Sequence, residues 1–109
     1  MSVIHTPVLG AEILTALDVR SDGSYIDCTV GEGGHTAMLL AAVQPPPRVL
    51  GIDLDASALA TATARLASFG DAVTLAHGSY VDMKRLATEA GMDGVDGILM
   101  DLGLSSLQL

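Results

Sequence analysis

Apolar residues along this chain switch between two spacings. Leu9, Ile13, Leu14 and Leu17 recur three and four apart, the stripe of one helical face. Thr6 ahead of them suits an N-cap, and Pro7 suits the first helical position. Residues 18–23 break the pattern. Ser24-Tyr25-Ile26-Asp27-Cys28 then reads as a short strand running into the glycine turn Gly31-Glu32-Gly33-Gly34. Residues 35–43 read as a helix, ended by Pro45-Pro46-Pro47 because proline cannot continue one. Residues 48–53 form a second strand. Asp55 is placed to cap a third helix, with Leu59, Ala62 and Leu66 facing inward and Gly70 closing it in the usual C-terminal role. Residues 72–76 are a third strand and residues 82–90 a further helix, stopped by Gly91. Asp93-Gly94 turns the chain into a fourth strand over residues 97–101.

Strands that alternate with helices predict an α/β fold with a parallel sheet and right-handed crossovers, of the Rossmann-like type. Such sheets usually have five or more strands, so about four predict an incomplete sheet. The fourth strand would then be an inner strand left as an edge, and an exposed apolar edge is an aggregation hazard. The chain is therefore expected to be a fragment, or a domain that another chain completes.

The 109 residues suffice for one small domain. Half are apolar but few are aromatic, which suits small-residue helices packed on a sheet rather than disorder. The net charge is −8, and the basic residues Arg20, Arg48, Arg65, Lys84 and Arg85 are scattered. They form no basic patch, so a nucleic-acid substrate would find its main grip elsewhere. The single cysteine, Cys28, excludes an internal disulfide, and no Cys/His spacing suggests a metal site. There is no signal-peptide pattern, and no apolar run reaches the ~18–20 residues that cross a bilayer. A cytoplasmic protein without a membrane partner is expected.

The chemistry concentrates at predicted strand ends. A strand, a glycine turn and a helix start together admit a ligand close to the backbone and face it with N–H groups and a positive dipole end. In open α/β sheets, ligands sit outside the carboxyl ends of the strands at the switch point. Asp53, closing the second strand, can accept hydrogen bonds from both ribose hydroxyls of an adenosine cofactor; capping the next helix is its structural alternative. A nicotinamide fingerprint would put a third glycine at position 36, where Thr36 stands. Asp27, just before the turn, would face the ligand; a carboxylate there suits a cationic amine or sulfonium and repels a pyrophosphate. Both features favour S-adenosylmethionine over NAD. Tyr80, beyond the third strand, would stack on or edge against the adenine, or merely pack on the following helix. His77 and His5 read as locally bonded histidines. Asp101 would hold the methionine amine or orient the acceptor, and Ser105 and Ser106 have no partner that would make either a nucleophile.

Taken together, His5-Thr6-Pro7-Val8-Leu9, Asp27-x-Thr29-x-Gly31-x-Gly33-Gly34-His35, Gly51-Ile52-Asp53-x-Asp55, His77-Gly78 and Asp96-Gly97-Ile98-Leu99-x-Asp101-Leu102-Gly103-x-Ser105-Ser106-x-Gln108-Leu109 resemble the amino-terminal third of the bacterial ribosomal RNA small-subunit methyltransferase H (MraW-type) family. The resemblance implies S-adenosylmethionine-dependent methylation of the N4 amine of a cytidine in 16S rRNA. It implies cofactor contacts from Gly33, Gly34, His35, Asp53, Tyr80, Asp101 and Gln108, with no metal. It also implies that residues 1–109 are the front of the methyltransferase domain, the RNA-contacting insert and remaining strands lying outside this chain. Glu32 stands where arginine is usual, Tyr80 where phenylalanine is common, and Leu107 where proline is usual. The residues themselves leave two alternatives: a truncated cofactor-binding module without activity, and a nicotinamide-dinucleotide-binding oxidoreductase domain.

Overall fold

The structure, a computed structural model, describes residues 7–100, with side chains from residue 12 onward. Its elements run α1 (Pro7–Leu17), β1 (Ser24–Asp27), α2 (Gly34–Ala41), β2 (Arg48–Asp53), α3 (Ala56–Arg65), β3 (Val73–His77), α4 (Met83–Glu89) and β4 (Gly97–Leu99). Among the described residues no helix is long and apolar enough to cross a membrane. Pro7 opens α1 as the pattern predicts; the Thr6 cap, His5, Asp101 and Gln108 lie outside the described residues.

The four strands pair in parallel in the order β3-β2-β1-β4. From β1 the chain steps outward through β2 to β3, then returns to add β4 on the other side of β1. The reversal puts the topological switch between β1 and β4, where an open α/β sheet leaves a crevice at the carboxyl ends. Among the described residues β4 is an edge strand, at the opposite side of the sheet from β3. Ile98, on the same face as Ile26, stays 43 % exposed, while Leu99 on the other face packs into the core.

Alternation along the central strands makes two cores. Ile26, Leu50 and Ile52 face α4 and pack with Leu86, Ala87 and Met92. Tyr25 and Val49 point to the opposite face, against Leu39 and Leu40 of α2 and Ala62 of α3. Burial on both faces is what a parallel sheet requires of β1 and β2. Gly51 lies where β2 is most crowded: a Cβ there would come within 2.8 Å of Leu75 and 3.0 Å of Val30.

The boundaries differ from the sequence pattern in one instructive place. Gly70 does not close α3. That helix ends at Arg65, Leu66 leaves helical geometry with φ −98° and ψ 5°, and a 3-10 stretch over Ala67–Ala72 follows. Gly70 takes a positive φ of 58° inside that stretch. Phe69 keeps the helical spacing from Leu59, Ala62 and Leu66 and packs on the same core, so spacing alone does not mark the break.

Candidate cofactor site at the carboxyl ends of the strands

The loop after β1 is held by its neighbours on both sides. The Cys28 amide donates to the Leu99 carbonyl of β4 (2.8 Å), and the Val30 amide donates to the Ile52 carbonyl of β2 (3.0 Å). Gly31 and Gly33 take φ of 54° and 97°, values that favour glycine. Gly33 is the residue before α2, and the Ala37 amide returns to its carbonyl (2.8 Å) as the first helical bond. The two glycines at the helix start serve different ends. A Cβ on Gly33 would touch Leu66 at 3.3 Å and Ala62 at 3.5 Å, so Gly33 lets α2 approach α3. Among the described residues, a Cβ on Gly34 would meet nothing within 4 Å outside its own helix and chain neighbours. Gly34 therefore borders open space, at a helix end whose first N–H groups have no partners within the helix. His35 follows it, half-buried, with Nε2 shielded from solvent.

Asp53 ties this turn to β2. Its Oδ2 accepts from the Gly31 amide at 2.8 Å, and its Oδ1 accepts from the Asp55 amide at 2.9 Å. Capping of α3 falls instead to Asp55, whose Oδ1 accepts from the amides of Ser57 (2.9 Å) and Ala58 (3.3 Å) and from the Ser57 hydroxyl (2.7 Å). The Ser57 hydroxyl first, then the Ala58 and Ser57 amides, hold the Asp55 carboxyl below the usual carboxylate range. Asp53 thus keeps a fixed, half-buried carboxylate beside the turn. Each oxygen spends one lone pair on a backbone amide and retains another for a ligand hydroxyl.

Asp27 corrects the expectation that it faces the ligand. It is fully buried, and its Oδ2 accepts from the Thr36 hydroxyl at 2.7 Å while its Oδ1 accepts from the Thr29 amide at 3.2 Å. A carboxylate at this depth needs donors, and Thr36 on the first turn of α2 supplies one. Thr36, equally buried, occupies the third-glycine position of a nicotinamide fingerprint. The two features that set this turn apart in the sequence are therefore one hydrogen bond, which locks the strand end to the helix start. Cys28, next to Asp27, is buried, with Sγ 3.9 Å from the sulfur of Met83. Burial, and secondarily the Asp27 charge, push its thiol upward from the ordinary range.

The tip of β3 completes the described rim. Tyr80 lies in a short 3-10 turn, Tyr80–Asp82, that precedes α4, and is 48 % exposed. Ser79 caps that turn by accepting from the Val81 amide. His77 is also exposed, and its Nε2 lies 2.8 Å from the Leu54 carbonyl. Of the residues singled out in the sequence, the structure thus gathers Gly33, Gly34, His35 and Asp53 at one turn and sets Tyr80 beyond the neighbouring strand end. The Asp53 carboxylate and the open space beside Gly34 thus lie at the same turn, while Asp55 is engaged in capping α3.

The family model described as the MraW methylase family matches residues 2–109. The ribosomal RNA small subunit methyltransferase H of Sorangium cellulosum is 50% identical over 105 residues, covering 96% of this chain and 33% of that protein. The protein of the same name from Symbiobacterium thermophilum is 47% identical over 108 residues, covering 99% of this chain and 34% of its own length. The chain thus spans about a third of the length of these relatives. Among solved structures, a SAM-dependent O-methyltransferase from Thermotoga maritima superposes with a TM-score of 0.66 at 26% identity, covering 86% of this chain and 34% of that one.

Proposed function

The chain belongs to the MraW methylase family, and on that premise we propose that it is the amino-terminal part of an S-adenosylmethionine-dependent methyltransferase acting on the N4 amine of a cytidine in 16S rRNA. The observation that carries the cofactor half of this reading is the turn itself. Gly34 opens on empty space at the start of α2, and the Asp53 carboxylate is pinned beside it by Gly31 and Asp55. The names of the relatives support ribosomal RNA of the small subunit as substrate. The N4 position and the cytidine rest on the family resemblance of the turn and of residues 96–109.

Within this reading, Gly33, Gly34 and His35 bring the backbone of the helix start against the cofactor, Asp53 accepts from its ribose hydroxyls, and Tyr80 lies along its base. Asp101 and Gln108 serve its methionine end. S-adenosylmethionine, when bound, supplies a strongly electrophilic methyl group. The cytosine amine is a poor nucleophile, because its lone pair is delocalised into the ring. The protein's contribution is therefore positioning for in-line attack, with hydrogen bonds that keep the lone pair on nitrogen. Asp101 is the carboxylate we nominate to accept such a hydrogen bond. A paired or stacked base must be unstacked to reach the site, so a flipped or single-stranded target is required. With few basic residues on this part, RNA is gripped by other parts of the protein. The test is transfer of labelled methyl groups from S-adenosylmethionine to small-subunit RNA by the intact protein, followed by nucleoside analysis. N4-methylcytidine is expected. Label in another nucleoside would remove the N4 assignment, and no transfer by folded protein would remove the function.

A further inference from the structure

His77 and Gly78 form a motif that the proposed cofactor contacts do not use. Their hydrogen bonds lead back to the cofactor site. The Leu54 carbonyl can only accept, so the proton of the 2.8 Å contact resides on His77 Nε2, which donates. The next residue repeats the pattern: the Gly78 amide donates to the Asp53 carbonyl at 2.9 Å. The tip of β3 therefore grips two successive carbonyls, that of Asp53 at the end of β2 and that of Leu54 just past it, and the residue between them and α3 is the Asp55 cap. The side chain of Asp53 is fixed from the other direction by Gly31 and Asp55. His77 is the only side chain seen to hold the Leu54 peptide, the link between Asp53 and Asp55, among the hydrogen bonds of the described residues.

We propose that His77 is a positioning residue that sets the Asp53 carboxylate for the two ribose hydroxyls of the cofactor. It does not touch the cofactor in this scheme. It fixes the Leu54 peptide, which fixes the Asp55 amide, which orients Asp53 Oδ1. The alternative is a surface histidine that tethers two strand ends for stability alone. Both roles use the same bond, so loss of stability does not separate them. Dependence on the ribose hydroxyls does. The assignment rests on the reading that this turn binds an adenosyl cofactor.

The experiment titrates S-adenosylhomocysteine and its 2′,3′-dideoxy analogue into the intact protein, unchanged and with His77→Ala or His77→Gln. A single neutral hydrogen bond corresponds to roughly three- to tenfold in affinity. His77→Ala is expected to weaken S-adenosylhomocysteine by about that factor and the dideoxy analogue by less than about twofold, the signature of coupling between the residue and the hydroxyls. His77→Gln, whose amide can donate to the same carbonyl, is expected to recover most of the loss. An equal loss on both ligands, or none on either, would overturn the assignment and return His77 to a tether. Failure of the unchanged protein to bind S-adenosylhomocysteine would overturn the cofactor reading beneath it, a result distinct from the other two.

Discussion

Gly34→Ala separates what the fold needs from what the cofactor needs. Gly34 is the first residue of α2, and among the described residues no atom outside its own helix and chain neighbours lies within 4 Å of the Cβ it would gain. Glycine spends more backbone entropy on folding than alanine, so the substitution should leave stability unchanged or raise it by about 0.4–1 kcal/mol. The same methyl group enters the space assigned to the cofactor. A methyl forced into a well-packed contact costs about 1–3 kcal/mol, or roughly five- to 150-fold in affinity. Gly33→Ala provides the contrast. Its φ of 97° and the 3.3 Å approach to Leu66 penalise any side chain, so about 1–2 kcal/mol of stability is lost along with binding. The assay pairs urea unfolding followed by circular dichroism with calorimetric titration of S-adenosylmethionine. If Gly34→Ala bound the cofactor as well as the unchanged protein, the open space at Gly34 would not be the cofactor's, and the reasoning would fail. If it unfolded as readily as Gly33→Ala, the description of the helix start would be wrong.

Three further outcomes are expected. Thr36→Val removes the hydroxyl that bonds the buried Asp27 and should cost about 1.5–3 kcal/mol in urea unfolding, with Thr36→Ser recovering most of it; a cost below about 0.5 kcal/mol would show that Asp27 does not depend on Thr36. Cys28, buried and with its thiol pushed upward, should react with iodoacetamide at least about tenfold more slowly in the native protein than in denaturant at pH 8; equal rates would place it at the surface. Because the Asp55 carboxyl lies lower in the folded state than in the unfolded chain, its contribution to stability is present above the unfolded value and lost as pH falls through the folded one. Asp55→Ala should therefore destabilise at neutral pH and converge with the unchanged protein in acid, and a pH-independent difference would contradict the cap.

Much of this architecture is legible in the sequence because local signals and packing agree. Proline at the start of α1, the Asp55 cap and the proline triplet after α2 are each readable without neighbours. Strand order is not: nothing local to residues 97–99 says that β4 returns to the far side of β1, and that choice creates the crevice. The orientation of Asp27 is also hidden. Its place at a strand end suggests a ligand contact, but a side chain's direction depends on which donors the folded chain brings near, and Thr36 comes from the helix beyond the turn. The role of His77 is hidden for the same reason, since its partner lies on another strand end. The glycines are readable because the positive φ of Gly31 and Gly33 is a local demand, whereas the Asp53 carboxylate meets the Gly31 amide only once β1 and β2 have paired.

The central claim is that the turn from β1 to α2 with Asp53 holds S-adenosylmethionine. Calorimetric titration of the intact protein with S-adenosylmethionine and, separately, with NAD tests it most directly. The account predicts saturable binding of one S-adenosylmethionine per chain and no heat from NAD. Saturable binding of NAD without binding of S-adenosylmethionine would contradict it.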